Sequence, residues 1–185
     1  MEILTGGVRL RRATSALLLI GLMMANPSHV FGQEQDEYAV KAAYIFNFSK
    51  FVEWPPTNGS GAFEICILGD DPFDSTIDQL IHGRSAYGHS FQVRRIKGTA
   101  DAKSCRIVFV GSADRTMAAK LVDAVRGTSV LTVGETQDFL RIGGMIALQM
   151  EDSHVQIIIN ANAAQSANLR ISAKLLMMAR IYKSD

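Results

Sequence analysis

The sequence predicts an α/β fold: a single domain whose mixed β-sheet is flanked by helices and closes with a C-terminal β-hairpin and helix. Two observations carry this. Short apolar runs at 63–68 (FEICIL), 105–110 (CRIVFV) and 129–133 (SVLTV) each give way to glycine or serine. The first two are followed by helical patterns, and such alternation is characteristic of sheets covered on both faces. Further on, the runs at 145–150 and 155–159 are separated only by Glu151-Asp152-Ser153-His154, which reads as a hairpin.

The chain has 185 residues, and its first 32 are expected to be an export signal. Arg9, Arg11 and Arg12 form a basic start, residues 13–25 an apolar stretch, and Asn26-Pro27 a break. Val30 and Gly32 then place small residues before a cut at Gln33. Thirteen apolar residues are short for a membrane-spanning helix, which needs about twenty. No cysteine follows the stretch to carry a lipid. The expectation is a protein secreted to a bacterial periplasm, with residues 33–185 forming the domain.

The first helix is expected at 38–54, YAVKAAYIFNFSKFVEW. Val40, Tyr44, Phe48, Phe51 and Val52 recur at helical spacing. Ala39, Ala42, Ala43, Ile45 and Phe46 widen the stripe over most of the circumference, so the helix should be largely buried. Pro55 and Pro56 stop it.

After a polar, glycine-rich loop at 57–62 comes the buried strand at 63–68. Asp71 is placed to cap the next helix with Pro72 at its first position, and that helix should end near Gly83. Residues 91–96 (FQVRRI) alternate as a half-exposed strand after a turn at Gly88. Ser112 would cap a helix over 113–125 whose Met117, Leu121 and Val125 share one face. Residues 134–144 form a connector with one helical turn around 136–140. After the hairpin, a short helix over 161–167 ends at Asn168, a residue that tolerates the left-handed conformation. Ser172 then caps a final helix burying Leu175, Leu176, Met178, Ala179 and Tyr182. The sequence contains neither internal repeats nor low-complexity tracts.

Charge narrows the function classes. The whole chain carries a formal +1. The leader's three arginines and one glutamate leave the remainder near −1, with Arg94-Arg95 as its only local basic pair. Nothing here makes an electrostatic case for binding nucleic acid. Catalytic constellations are also poor. His82, His89 and His154 lack metal-ligand spacing, and the sequence has no nucleophile elbow, P-loop or dinucleotide fingerprint. No cofactor and no metal are expected. Cys66 and Cys105 are an even pair in a chain expected to be secreted. One disulfide and two separate buried thiols are the alternatives.

The opening helix leading into Trp54-Pro55 resembles the start of the YfiR-like family of secreted bacterial proteins. The run IGGMIALQMEDSHVQIIINANAAQSANLRISAKLLMMAR resembles that family's closing half, with its Gly-Gly-Met turn, hairpin, Ile-Asn strand end, Leu-Arg-Ile-Ser and Lys-Leu-Leu helix. ICILGDDPF and CRIVFVGSA fit its two central strands. The resemblance spans about residues 38–182. It implies a Cys66–Cys105 bridge at positions that match one in the YfiR-like repressor. That repressor's second bridge has no counterpart here, which leaves redox control without support, and a structural and a regulatory role for the remaining bridge are the alternatives.

The resemblance further implies a non-enzymatic periplasmic regulator. Such a protein inhibits an inner-membrane diguanylate cyclase through its periplasmic sensor domain and so lowers cyclic di-GMP, with effects on biofilm and motility. An OmpA-like outer-membrane lipoprotein relieves the inhibition, and a homodimer is expected. The alternative is a periplasmic small-molecule-binding or accessory protein of a sensor kinase or outer-membrane transporter. Six residues are the candidate contacts. The Phe48–Trp54 edge could be read by a partner, and Tyr44, Asn47 and Trp54 would edge an apolar pocket if the first and last helices pack together. Arg170 and Lys174, at the start of the last helix, would meet a carboxylate or phosphate.

Overall fold

The computed structural model describes residues 28–56, 61–111 and 115–183, with side chains from residue 36. Most of the expected export signal and the expected Ser112 cap lie outside the described residues. Helix α1 (Ser28–Phe51) starts before Tyr38, so the expected cut at Gln33 falls within it in the uncut chain. It also ends earlier than the prolines require, because strand β1 (Val52–Glu53) leaves the helix to pair antiparallel with β9 (Arg170–Ile171). Ser172 N–H donates to Phe51 O at 2.8 Å, extending that clasp.

Strand β2 (Phe63–Leu68) is where the apolar run places it. Helix α2 (Thr76–Ile81) is shorter than expected. Asp71 caps a turn instead of the helix: its Oδ1 accepts from Phe73 N–H at 2.8 Å. Asp74, with φ +48°, then interrupts the chain before the helix can start. Strands β3 (Ser85–Ala86) and β4 (His89–Ile96) form a tight hairpin. Its two central residues, Tyr87 (φ +55°) and Gly88 (φ +79°), supply the positive dihedrals such turns need.

A 3-10 turn over Thr99–Ser104 precedes β5 (Ile107–Val110), which therefore starts two residues later than expected. Helix α3 (Arg115–Ala124), β6 (Leu131–Gly134) and α4 (Gln137–Arg141) follow. The Thr136 hydroxyl caps α4 by accepting from Phe139 N–H at 3.3 Å. Strands β7 (Ile146–Glu151) and β8 (His154–Ile159) form the expected hairpin, turning at Asp152 and Ser153, both at positive φ. In α5 (Ala161–Ser166) the cap is Asn160, and Asn168 adopts the left-handed conformation at φ +58° as expected.

Ser172 caps α6 (Ala173–Met178), accepting from Leu175 N–H at 3.3 Å. Of its expected buried face, Leu175 is buried and Leu176 and Ala179 are partly so, but Met178 is 53% exposed. The helix is too short to carry that face further: Ala179 turns extended and β10 (Arg180–Ile181) pairs parallel with β8. Tyr182, beyond it, packs against the opposite core layer.

The eight-stranded sheet has the order β10-β8-β7-β6-β5-β2-β4-β3. Its five central strands, β7, β6, β5, β2 and β4, are mutually parallel. The chain moves from β2 to one side at β4, then to the other at β5, a doubly wound pattern with a switch between β2 and β5. Alternation assigns the faces. Ile65, Ile67, Ile107, Phe109 and Leu131 meet Ile45 and Phe48 of α1 and Ile77 of α2. Cys66, Leu68, Val108 and Val110 meet Leu121 of α3 and Phe139 of α4. Helices thus cover both sides. On the α3 side, Cys66 and Cys105 are joined across β2 and the start of β5, with Cα atoms 6.0 Å apart.

Candidate functional site

Two groupings of polar and aromatic residues lie at opposite ends of the sheet. The first, at the amino ends of the strands, gathers much of what the sequence singles out. The β1–β9 ladder sets Glu53 opposite Arg170, 3.7 Å apart and both exposed. Lys174 Nζ sits 5.4 Å from the Phe51 ring centre. The half-buried Trp54 packs edge-on against Phe63 at 5.2 Å and Tyr87 at 6.3 Å. Its Nε1 is buried with no hydrogen-bond partner. The Tyr87 ring is exposed, yet its hydroxyl donates to Val52 O at 2.7 Å. Desolvation of that hydroxyl, and secondly the Glu53 carboxylate, hold its pKa above the usual tyrosine value.

Tyr44 and Asn47 are half-buried on α1, and Phe48 is 1% exposed, its ring spent on the core. Arg170, Lys174 and Trp54 reach the surface around the β1–β9 clasp because Phe51 to Glu53 and Arg170 to Ser172 are stitched together there.

The second grouping, which the sequence reading passed over, is a crevice beyond the carboxyl ends of β5, β6 and β7. Ligands of doubly wound folds bind at this end of the sheet. Lys41 sits on the buried side of α1, 2% exposed. It forms ion pairs with Glu37 one turn earlier and with Glu135 at the end of β6. The Lys41 Nζ–Glu135 Oε1 distance is 2.5 Å, and the Glu135 side chain is 6% exposed. Lys41 Nζ also lies 4.6 Å from the Tyr38 ring centre. At the rim, Asp138 of α4 pairs with Arg115 at 3.2 Å and with Arg141. Two lobes join here: an open polar one of about 590 Å3 and a narrower one of about 210 Å3 walled by Val110, Ala118, Phe139 and Ile142. No sequence motif marks this crevice. A lysine followed 94 positions later by its glutamate partner leaves no periodic trace.

A third cluster is structural. Arg95 of β4 binds Asp71 at 2.8 Å, Asp78 at 2.5 Å and the carbonyl of Asp74 at 2.8 Å. The Arg95 guanidinium accordingly holds the Asp78 carboxyl below the usual carboxylate range.

The solved structures similar to this chain include two that match over 79% of it. One is a conserved domain protein from Vibrio cholerae, with a TM-score of 0.53 and 12% identity. The other is an ABC domain in complex with L-Trp from Streptococcus pneumonia, with a TM-score of 0.51 and 11% identity. This chain spans 60% of each. At such identities the likeness concerns the α/β fold alone. No curated protein matches the sequence. The family model described as YfiR/HmsC-like matches residues 38–180, from the aromatic helix through the hairpin to the last strand, and the chain belongs to that family.

Proposed function

We propose that this protein is a non-enzymatic periplasmic regulator that binds the periplasmic sensor domain of an inner-membrane diguanylate cyclase, holds the cyclase inactive and thereby lowers cyclic di-GMP. The observation that carries this reading is the family match over residues 38–180. The Cys66–Cys105 bond fits an oxidising compartment. Among the described residues no helix is long and apolar enough to cross a membrane. Residues 1–32 act as the export signal in this reading.

Inhibition needs only differential affinity: a protein that binds the inactive cyclase more tightly than the active one shifts the population. The exposed surface around Trp54, Glu53, Arg170 and Lys174, continued by the 80% exposed Met177, is the proposed contact. Its mixture of charge, aromatic edge and methionine suits a reversible protein interface. An OmpA-like lipoprotein would compete for this surface, and a homodimer is part of the same reading.

The test is intracellular cyclic di-GMP in a deletion strain complemented with wild type, Arg170→Glu or Cys66→Ser. A rise on deletion, reversed by wild type but not by Arg170→Glu, supports the regulator and its contact surface. An unchanged nucleotide level on deletion sinks the cyclase reading and moves attention to whichever membrane protein co-purifies.

A further inference from the structure

Helix α6 ends on two side chains that the core does not take up. Leu175 is buried and Leu176 half-buried, whereas Met177 is 80% and Met178 53% exposed. Among the described residues six large apolar side chains are exposed, and three of them, Met177, Met178 and Ile181, fall within the short stretch 177–181. The other methionines of the described residues are withdrawn: Met145 is buried, and Met117 and Met150 are half-buried. Both cysteines are spent in the Cys66–Cys105 bridge. The thioethers of Met177 and Met178 are therefore the most accessible divalent sulfur among the described residues.

Leucine at these positions would offer a partner as much apolar surface with similar helix propensity. What methionine adds is a flexible side chain with a sulfur that oxidants can reach. We propose that Met177 and Met178 are a reversible oxidation site, each accepting one oxygen atom from a peroxide or from hypochlorous acid, and that their sulfoxides weaken the contact made through the Trp54–Arg170 surface. The oxidation stands on exposure; its effect on a partner rests on the regulatory reading. In the peroxide reaction the thioether lone pair attacks one oxygen, the O–O bond breaks, an S–O bond forms and water leaves. The sulfur is oxidised by two electrons and the peroxide is reduced. Hypochlorous acid gives the same product with loss of chloride and a proton. The sulfoxide is polar, so apolar surface offered to the partner is lost. Lys174 stands one turn before Met178 on α6, which puts an ammonium donor within helical reach of the new oxygen. Neither sulfur contributes to the core, so Leu175 and the Ser172 cap are undisturbed and the oxidised protein stays folded. Reduction by a methionine sulfoxide reductase restores the thioethers.

The experiment exposes the purified protein to hydrogen peroxide for increasing times, digests it with trypsin and follows the gain of oxygen by mass spectrometry. Cleavage separates the methionines: residues 175–180 carry Met177 and Met178, residues 116–120 carry Met117, and residues 142–170 carry Met145 and Met150. The 175–180 peptide is expected to oxidise about tenfold faster than the 142–170 peptide, with the circular dichroism spectrum unchanged. In cells, a deletion strain carrying wild type, Met177→Leu/Met178→Leu or Met177→Gln/Met178→Gln receives a sublethal pulse of hypochlorite, and cyclic di-GMP is read. Wild type should show a rise that the leucine variant lacks. The glutamine variant, a polar stand-in for the sulfoxides, should show a raised level without the pulse. Oxidation of the 175–180 peptide no faster than that of the 142–170 peptide overturns the proposal. So does a leucine variant that responds to the pulse as wild type does, or a glutamine variant that represses as fully as wild type. A deletion that leaves cyclic di-GMP unchanged refutes the regulatory reading instead, and the peptide rates alone then decide the oxidation site.

Discussion

Lys41 Nζ lies 2.5 Å from Glu135 Oε1, and this contact joins helix α1 to the end of strand β6 inside a nearly closed environment. Replacing Lys41 takes the ammonium away from both Glu135 and Glu37, and breaking a buried ion pair typically costs about 3–5 kcal/mol. Lys41→Met is therefore expected to lower the urea midpoint sharply, whereas Lys41→Met/Glu135→Leu should recover most of the loss. Equilibrium unfolding of the two single variants and the double variant measures the coupling. Additive single losses would show that the pair does not act as a unit.

The Cys66–Cys105 bond closes a segment with a sequence separation of 39. On the chain-entropy account a loop of that length stabilises by about 4 kcal/mol, model-dependent in origin. Cys66→Ser/Cys105→Ser is expected to lower stability by an amount of that order, and a reductant should shift wild type towards the variant. The cysteines face the α3 core layer, where Leu68 and Val108 also pack, so the variant should retain its circular dichroism spectrum in buffer. Urea melts with and without dithiothreitol provide the check.

The parts of the fold that depend on local pattern were readable from the sequence: the buried strands, the hairpin, the caps at Ser172 and Asn168. What escaped was set by partners distant in the chain. Strand β1 is two residues long and exists because Arg170–Ile171 is there to pair with it. Tyr87-Gly88 makes a hairpin turn, but the strand before it is too short to show alternation. Nothing near Lys41 in the sequence announces Glu135, which arrives from the end of β6 to pair with it. The same limitation applies to the candidate contacts: Arg170 and Trp54 were visible as residue types, whereas the crevice is assembled from α1, α3, α4, β6 and β7 and has no local signature.

Acid should lower stability in part through Asp78. Its hydrogen bond with Arg95 is the leading cause of its lowered pKa, opposed by desolvation. A folded-state pKa below the unfolded one means that the contribution is complete above the unfolded value, about 3.9, and disappears as pH falls through the folded value. Wild type should exceed Asp78→Asn in stability above about pH 4, and the gap should close in more acidic buffer. Thermal melts of both proteins from neutral pH downward test this. A gap that stays constant across the acid range would assign the loss to packing rather than to the Arg95 ion pair.

Phe139 is gripped by two glycines. A Cβ on Gly144 would lie 2.3 Å from its ring, and one on Gly134 would lie 2.5 Å away. Either alanine substitution must displace a 4% exposed ring in a packed layer, an overpacking cost of about 1–3 kcal/mol. Phe139→Leu in the Gly134→Ala background should restore part of that loss by vacating the overlap, as thermal denaturation would show.

Trp54 is the only tryptophan in the chain, so its fluorescence reports on one place. The indole contributes edge contacts to Phe63 and Tyr87 while leaving its buried N–H without a partner. These effects oppose each other. Trp54→Phe keeps an aromatic ring for Phe63 and removes the orphaned donor, whose desolvation costs about 1–3 kcal/mol, so stability should change by less than about 1 kcal/mol. Trp54→Ala loses the ring as well and is expected to cost about 3 kcal/mol, the lower end for deleting a large aromatic because this one is half-buried. Urea melts followed by circular dichroism compare the three proteins without relying on the deleted fluorophore. A Phe variant as unstable as the Ala variant would mean that the indole nitrogen, and not the ring contacts, holds this corner of the molecule together.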